Sequence, residues 1–171
     1  MESNSSHSQT CVDANLTHSI DSQGDTIYFT IPDSPIAQGR AKFASRGKHV
    51  HVYDPIKSAK WKKVVAFYAS TAIANKEPNL FFFAHIPLLL VVHFIVPRPA
   101  SHLTKTGKHT KAWKQFPTSK PDLSNFVKAI EDALNGVVYH DDSQIVSEYT
   151  HKRYADSIAP CVIVTISKAN S

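Results

Sequence analysis

The chain has 171 residues, of which 42% are hydrophobic, and carries a formal net charge of +5 at pH 7. This length and apolar content are typical of one globular domain with a normal core. With only two cysteines, Cys11 and Cys161, the chain has no disulfide framework, and we expect a reducing, cytoplasmic setting.

The first 25 residues are rich in Ser, Asn, Asp and His and contain few apolar residues. This composition predicts a disordered N-terminal tail that precedes a domain at residues 26–171. Residues 1–20 also lack the apolar block of a cleavable signal peptide. The boundary at residue 26 is marked by the start of an alternating apolar pattern.

Several elements are predicted between residues 26 and 74. Thr26 to Ile31 alternates as a strand, and residues 42–45 and 49–53 flank Gly47 as a hairpin. Asp54 and Pro55 form a favoured helix start. The helix that follows has a buried stripe at helical spacing, formed by Trp61, Val64, Val65, Tyr68 and Ala72.

The most apolar part of the chain, Leu80 to Val96, is interrupted by His85, Pro87 and His93. A membrane-spanning helix needs about 20 predominantly apolar residues, so these interruptions argue against a span. Both alternating faces of residues 88–96 are largely apolar. The pattern therefore predicts a central strand that is buried on two sides.

Residues 97–121, here called the basic segment, form a long polar connection. Residues 98–120 contain six Lys or Arg and no acid. Such cations neutralise DNA phosphates, and the aromatic rings of Trp113 and Phe116 are able to stack on exposed bases. The candidate DNA contacts here are Lys105, Lys108, Lys111, Lys114 and Lys120. The alternative is a flexible loop that only keeps the protein soluble.

Carboxylates flank the next predicted helix. A helix over residues 124–135 spans about 18 Å, and a strand over residues 137–142 returns about 20 Å. If the two run antiparallel, Asp141 and Asp142 return to the level of Asp122. Such an acidic cluster repels itself unless a proton or cation occupies it, and Mg²⁺ prefers oxygen ligands of this kind.

Within this cluster, we expect Asp122 and Asp142 to be the principal metal ligands. Asp141 is either a third ligand or an exposed neighbour, because adjacent strand residues point to opposite faces. Lys128 and Asp132 share a helix face at i,i+4 spacing. On its own this spacing is also typical of an ordinary surface ion pair.

Two further strands are predicted after the acidic residues, at residues 144–154 and 161–166, with a hairpin between them. The order of the predicted elements is strands, helix, strand, helix, strands. This order favours a single-domain α+β fold, in which a mixed β-sheet carries two main helices on one face.

The acidic region resembles the RusA-type Holliday junction resolvases, which are crossover junction endodeoxyribonucleases. Their pattern is roughly Pro-Asp-x-Asp-Asn-x-x-Lys-x-x-x-Asp-Ala-Leu, followed after a turn by Asp-Asp-x-Gln and a hydrophobic residue. One position departs from it, because Ser124 stands where the family has a carboxylate. Weaker similarity covers residues 27–167 and includes Arg40 and Lys152. The matching residues are Pro121, Asp122, Asn125, Lys128, Asp132, Ala133, Leu134, Asp141, Asp142, Gln144 and Ile145.

The resemblance implies a homodimeric, metal-dependent endonuclease that resolves four-way DNA junctions by paired phosphodiester hydrolysis. Mg²⁺ is the implied cofactor, with Mn²⁺ as a substitute, and Ser124 joins the three aspartates as a candidate ligand. Lys128 is implied to contact the cut phosphate, which makes it a catalytic candidate with Asp122 and Asp142. Arg40 and Lys152 are added to the candidate DNA contacts.

Two alternatives remain at this point. The replacement of a family carboxylate by Ser124 is compatible with a junction-binding protein whose cleavage is weak or lost. The charge pattern alone is also compatible with a basic scaffold protein that has no role on DNA.

Overall fold

A mixed β-sheet forms the centre of the computed structural model, which describes residues 18–20, 26–39, 42–46, 49–53, 55–74, 85–156 and 158–169. Its strands are β1 (His18–Ile20), β2 (Thr26–Ile31), β5 (Leu88–Val96), β6 (Ile145–Tyr154) and β7 (Cys161–Lys168), in the spatial order β1-β2-β7-β5-β6. A separate antiparallel ribbon consists of β3 (Lys42–Arg46) and β4 (His49–Tyr53). This ribbon and β2 confirm the predicted hairpin and first strand.

Two long helices accompany the sheet, α1 (Ile56–Ala74) and α2 (Leu123–Leu134). The strands bury one alternating set of side chains, such as Phe29 of β2 and Phe94 of β5. These side chains share one core with Trp61 of α1 and Phe126 of α2. The rings of Phe94 and Phe126 stack with centroids 5.2 Å apart. The predicted α+β fold, with a mixed sheet and two helices, is therefore confirmed.

The predicted hairpin between the last two strands is wrong. β5 lies between β6 and β7, pairing parallel with β6 and antiparallel with β7. Parallel neighbours need a long crossover connection. That crossover is residues 97–144, so the basic segment, α2 and the acidic residues all lie in one connection between adjacent strands.

The predicted strand at residues 137–142 is also wrong. Gly136 has a φ of +71°, and residues 136–138 form a turn in which the Val138 N–H donates to the Leu134 carbonyl. Val138 and Tyr139 are fully buried because this turn folds them into the core under the end of α2. A short 3-10 helix, Asp142–Gln144, then leads directly into β6.

Two further predictions concern the N-terminal tail and the apolar segment Leu80 to Val96. The predicted tail contains β1, which pairs with β2, whereas residues 1–17 and 21–25 lie outside the described residues. In the ranges that the structure describes, no helix is long and apolar enough to cross a membrane. Leu88–Val96 is β5, a central strand paired on both of its edges, as the sequence pattern predicts. The predicted burial of both faces is wrong, because Leu89, Val91 and His93 on the second face are only half-buried.

Candidate active site

The N-terminal end of α2 presents an uncommitted carboxylate. Asp122 is the N-cap of the helix, yet its side chain makes no capping hydrogen bond. The side chain is exposed and has no hydrogen bond or ion pair with any residue that the structure describes. Ser124 lies in the first turn and is also exposed. Both side chains are therefore accessible to a ligand from solution.

One turn further along, Lys128 and Asp132 form the predicted i,i+4 pair, with Lys128 Nζ 3.7 Å from Asp132 Oδ1. The other oxygen of Asp132 accepts from Lys62 Nζ of α1 at 2.8 Å. Asp132 is therefore held mainly by Lys62, whose side chain is only 18% exposed. Lys128 is 60% exposed, which leaves its ammonium available to a phosphate.

A second group of acids lies beside the C-terminal half of α2. The side chains of Glu131 on α2 and Glu148 on β6 lie close enough to interact electrostatically. Burial raises the pKa of Glu131 to about 7, and the negative charges of Glu148 and Asp142 add to the effect. Burial likewise raises the pKa of Tyr139, whose hydroxyl donates to the Glu131 carbonyl at 3.0 Å. The acids of this region therefore repel one another unless a proton or a cation is present.

Asp141 and Asp142 have different surroundings. The Asp141 carboxylate accepts from the Ser143 N–H at 2.9 Å, so it caps the short 3-10 helix, and hydrogen bonds from the Ser143 side chain and backbone lower the pKa of Asp141. The side chain of Gln144 completes the capping box by accepting from the backbone N–H of Asp141. Asp142 is half-buried and acts electrostatically on Glu131. Among the residues that the structure describes, the Asp142 carboxylate has no hydrogen-bond partner, in contrast to the Asp141 carboxylate.

Asp122 and Glu131 lie at different levels along α2. Asp122 and Glu131 are nine residues apart, which corresponds to about 13 Å along the axis at 1.5 Å per residue. Among the described residues, no three His, Cys, Asp or Glu side chains are arranged to hold a metal ion by themselves. Mg²⁺ is commonly held by one or two carboxylates together with waters and substrate phosphates. The exposed Asp122 and the half-buried Asp142 fit that donor chemistry.

The basic segment is attached to the sheet through Arg98. Its guanidinium pairs with the Asp156 carboxylate and donates to the Lys114 carbonyl at 2.8 Å. It also lies 4.3 Å from the ring centre of Tyr154. The pairing lowers the pKa of Asp156. Arg98 therefore stabilises the connection where it leaves the sheet.

The rest of the basic segment is folded as well. Ala100–His102 is a short 3-10 helix, Leu103 forms a bridge with His109, and the His109 and Trp113 rings stack with centroids 4.3 Å apart. The lysines predicted to contact DNA are exposed along it: Lys105, Lys108, Lys111, Lys114 and Lys120. The segment is thus a structured, positively charged surface.

The two other predicted DNA contacts differ from these lysines. Lys152 on β6 donates to the carbonyls of Ser119 and Pro121 at 2.9 and 2.7 Å. Its ammonium therefore holds the chain that leads into Asp122. Arg40 lies outside the described residues.

A family model described as Endodeoxyribonuclease RusA matches residues 32–167. The chain belongs to this family. It is 34% identical over 147 residues to "Uncharacterized protein YqaN" of Bacillus subtilis (strain 168), a match that covers 86% of this chain and 99% of that protein. It is 35% identical over 75 residues to "Crossover junction endodeoxyribonuclease rusA" of Lactococcus phage r1t, covering 43% and 50% of the two chains.

Two members of this site were missed in the sequence analysis. Glu148 and Lys62 come from β6 and α1, far in sequence from the acidic motif, and neither belongs to a recognisable spacing. The position of Glu148 required the parallel pairing of β5 and β6, which the predicted hairpin did not include. Lys62 is one of several lysines in the sequence of α1, and only the packing of α1 beside α2 distinguishes it.

Proposed function

We propose that this protein is a metal-dependent, structure-selective endodeoxyribonuclease that resolves four-way DNA junctions by paired phosphodiester hydrolysis. The observation that carries the proposal is the match to the RusA endodeoxyribonuclease family, which extends through the acidic residues and the basic segment. Mg²⁺ is the proposed cofactor, and Mn²⁺ is expected to substitute for it.

The proposed ligands are the carboxylates of Asp122 and Asp142, with Asp141 and Ser124 as further oxygen donors. A bound Mg²⁺ supplies an activated water and neutralises charge on the phosphate. The free carboxylate of Asp122 supports its role, since no described residue competes for it. Asp141 is the weaker candidate, because its carboxylate already accepts from the Ser143 N–H.

Lys128 is the proposed phosphate contact. Its exposed ammonium lies one turn after Ser124 on the same helix, and the one ion pair that it forms with a described residue is the long contact with Asp132. A charge-assisted hydrogen bond from this ammonium to a phosphate oxygen would be stronger than that pair. The ion pair between Asp132 and Lys62 holds α2 against α1, and the second oxygen of Asp132 limits the positions of the Lys128 ammonium.

Glu131 and Glu148 are proposed to provide local negative charge beside Asp142. Burial and the nearby charge of Glu148 favour a proton on Glu131, and the raised pKa of Glu131 allows that proton to remain near neutral pH. A cation nearby would favour release of this proton. The pair therefore links the charge of the site to the presence of metal.

The proposed partner is branched DNA, bound by a homodimer. A four-way junction is resolved by two related cuts, and a two-fold dimer supplies two active sites in that relationship. The exposed lysines of the basic segment neutralise phosphates at a fixed place relative to Asp122, because Arg98 and Lys152 anchor the two ends of the segment.

A second candidate function is junction binding with weak or no cleavage. It is favoured by Ser124, a neutral hydroxyl at a family carboxylate position. The loss of one negative charge lowers affinity for Mg²⁺ without disturbing the lysines that bind DNA. The two functions share the same partner and differ only in the chemical step.

A synthetic four-way junction separates the two candidates. Cleavage is measured with Mg²⁺ or Mn²⁺, and binding is measured by gel shift in a metal chelator, each beside a linear duplex of the same sequence. We expect paired cuts in the junction and none in the duplex. Binding without cleavage in either metal supports the second candidate, whereas equal binding of junction and duplex contradicts both.

A further inference from the structure

A groove of about 500 Å³ opens beside Asp122, between residues 35–38 and the start of α2. Its apolar walls include Pro35, Ile36 and Pro121, while Lys120 and Asn125 supply polar groups. This volume is within the range of about 300–1,000 Å³ that is typical of pockets for single small ligands. The groove therefore has room for one ligand next to the proposed catalytic carboxylate.

The two walls of the groove are joined by hydrogen bonds. The Gln38 N–H donates to the Asn125 carbonyl at 2.7 Å. The hydroxyl of Ser58 on α1, a side chain only 2% exposed, donates to Gln38 Oε1 at 2.9 Å. The shape of the groove is thus set by contacts that reach into the core, and it is largely formed before a ligand binds.

The polar side chains of the groove remain available. Asn125 and Lys120 are exposed, and neither side chain has a hydrogen bond or ion pair with any residue in the described ranges. The Asn125 amide presents a donor and an acceptor side by side, which matches the edge of a nucleobase. Lys120 provides a cation for a phosphate.

We propose that this groove holds one unpaired nucleotide of the branched DNA, adjacent to the bond that is cut, and that Asn125 reads its base. This inference rests on the proposed function. The apolar walls suit the faces of a base, Asn125 suits its edge, and Lys120 suits its phosphate. A base at a branch point costs less to unpair than one inside a continuous stack. Asn125 is therefore a specificity-determining residue, which selects the positions of cleavage.

The test uses the full chain and two substitutions at this exposed position. Asn125→Ala removes the amide, and Asn125→Trp fills the groove. Asn135→Ala is the matched control, because Asn135 is an exposed asparagine at the opposite end of α2. Cleavage positions are mapped on a junction whose branch point moves through several sequences. Separately, 2-aminopurine fluorescence at each branch-point nucleotide is followed during binding in a metal chelator.

We expect the wild type and Asn135→Ala to prefer the same positions and to change the fluorescence at one nucleotide. Asn125→Ala is expected to reduce the preference between positions by about fivefold or more, because a paired amide contact discriminates bases by at least that factor. Asn125→Trp is expected to abolish the fluorescence change while junction affinity remains within about twofold, since the lysine contacts with phosphates are retained.

Failure of this inference is distinct from failure of the proposed function. Unchanged preference and fluorescence in both Asn125 variants overturn the inference, even if all proteins cleave the junction. If the wild type does not cleave, the fluorescence measurement alone tests the inference. A fluorescence change in the wild type that both Asn125 variants weaken supports nucleotide binding in the groove. A fluorescence change that neither variant weakens, or no change in any protein, overturns the inference.

Discussion

Glu131 on α2 lies close enough to Glu148 on β6 for the negative charge of Glu148 to add to burial in raising the pKa of Glu131. Two ionised carboxylates at close range repel each other, so a proton on one of them stabilises the pair. The pair lies between the helix that carries Lys128 and the edge strand of the sheet. The protonation of this pair therefore depends on how closely α2 packs against β6.

Glu131→Gln is expected to change the pH dependence of stability. In the wild type the folded pKa is about 7 and the ordinary value is 4.5, so the folded state holds a proton that the unfolded chain has released between these values. The free energy of unfolding therefore falls as pH rises through this window. The variant lacks this contribution. Urea unfolding of both proteins from pH 4 to pH 8 gives the comparison, and parallel curves contradict the prediction.

The same pair is expected to respond to metal. At pH 8 the repulsion among Glu131, Glu148 and Asp142 is largest, so a bound cation stabilises the folded state. Adding Mg²⁺ is expected to raise the melting temperature of the wild type more than that of Glu131→Gln. NaCl at matched ionic strength serves as the control for screening, and Ca²⁺ tests whether another divalent cation has the same effect. Equal shifts in both proteins would place the cation elsewhere.

Asp122→Asn and Asp142→Asn are each expected to abolish junction cleavage and to leave junction binding intact or tighter. Both carboxylates are proposed to hold metal, and each also repels phosphate. Asp33→Asn provides the control, since Asp33 is exposed and, within the described ranges, its carboxylate only accepts from the neighbouring Ser34 N–H. Cleavage rate and gel-shift affinity are measured for each variant. Full activity in either site variant shows that its carboxylate is dispensable.

Replacement of Lys105, Lys108 and Lys111 by Ala is expected to weaken junction binding and its salt dependence. Each lost phosphate contact lowers the slope of log affinity against log salt by up to about 0.9. The control replaces Lys57, Lys60 and Lys63, three exposed lysines of α1, and removes the same charge. Equal losses in the two triple variants would assign the effect to net charge. An unchanged slope would leave the basic segment as a solubilising connection.

Arg98→Lys is expected to loosen the basic segment without removing a charge. Lysine lacks the planar fork that pairs with Asp156 and reaches the Lys114 carbonyl. Hydrogen exchange at the Thr110 N–H, which donates to the His102 carbonyl, should become faster, and junction affinity should fall. Arg153→Lys on β6 is the matched control. Exchange that stays at the wild-type rate would mean that other contacts hold the segment.

Ser124→Asp restores a carboxylate at the family position. If the hydroxyl merely weakens metal binding, the variant gains cleavage most at low Mg²⁺. If Glu131 or Asp141 already replaces the missing charge, the extra carboxylate crowds the site and gives no gain. Cleavage across a Mg²⁺ titration decides between these outcomes, with Ser70→Asp on the exposed face of α1 as control. Strong wild-type cleavage at low Mg²⁺ without improvement would show that Ser124 is no handicap.

The sequence predicted α2 within one residue, because its apolar spacing and the glycine at 136 mark both the helix and its end. It failed at residues 137–142, where Val137, Val138 and Tyr139 have the composition of a strand. The structure buries Val138 and Tyr139 through a turn instead. Local composition predicts that these residues are buried, but it does not predict the backbone conformation that buries them.

The site was predicted in part for a similar reason. The motif residues on α2 were found from their spacing along one helix. The partners from α1 and β6 depend on which strands are neighbours, and β5 separates β6 from the strand that follows it in sequence. Consecutive strands are adjacent only about two-thirds of the time, so sequence order alone favoured the wrong pairing.

The crossover between β5 and β6 has a consequence for folding. Every candidate residue from Arg98 to Asp142 lies inside this connection, and its ends meet only when two strands distant in sequence pair. Closing a long loop costs conformational entropy before the strand contacts compensate for it, so such pairing forms slowly. In a folding chain, the lysines proposed to contact DNA are present before β6 joins the sheet, whereas Glu148 reaches α2 only when β6 has paired with β5. On the proposed function, DNA binding would therefore precede cleavage during folding.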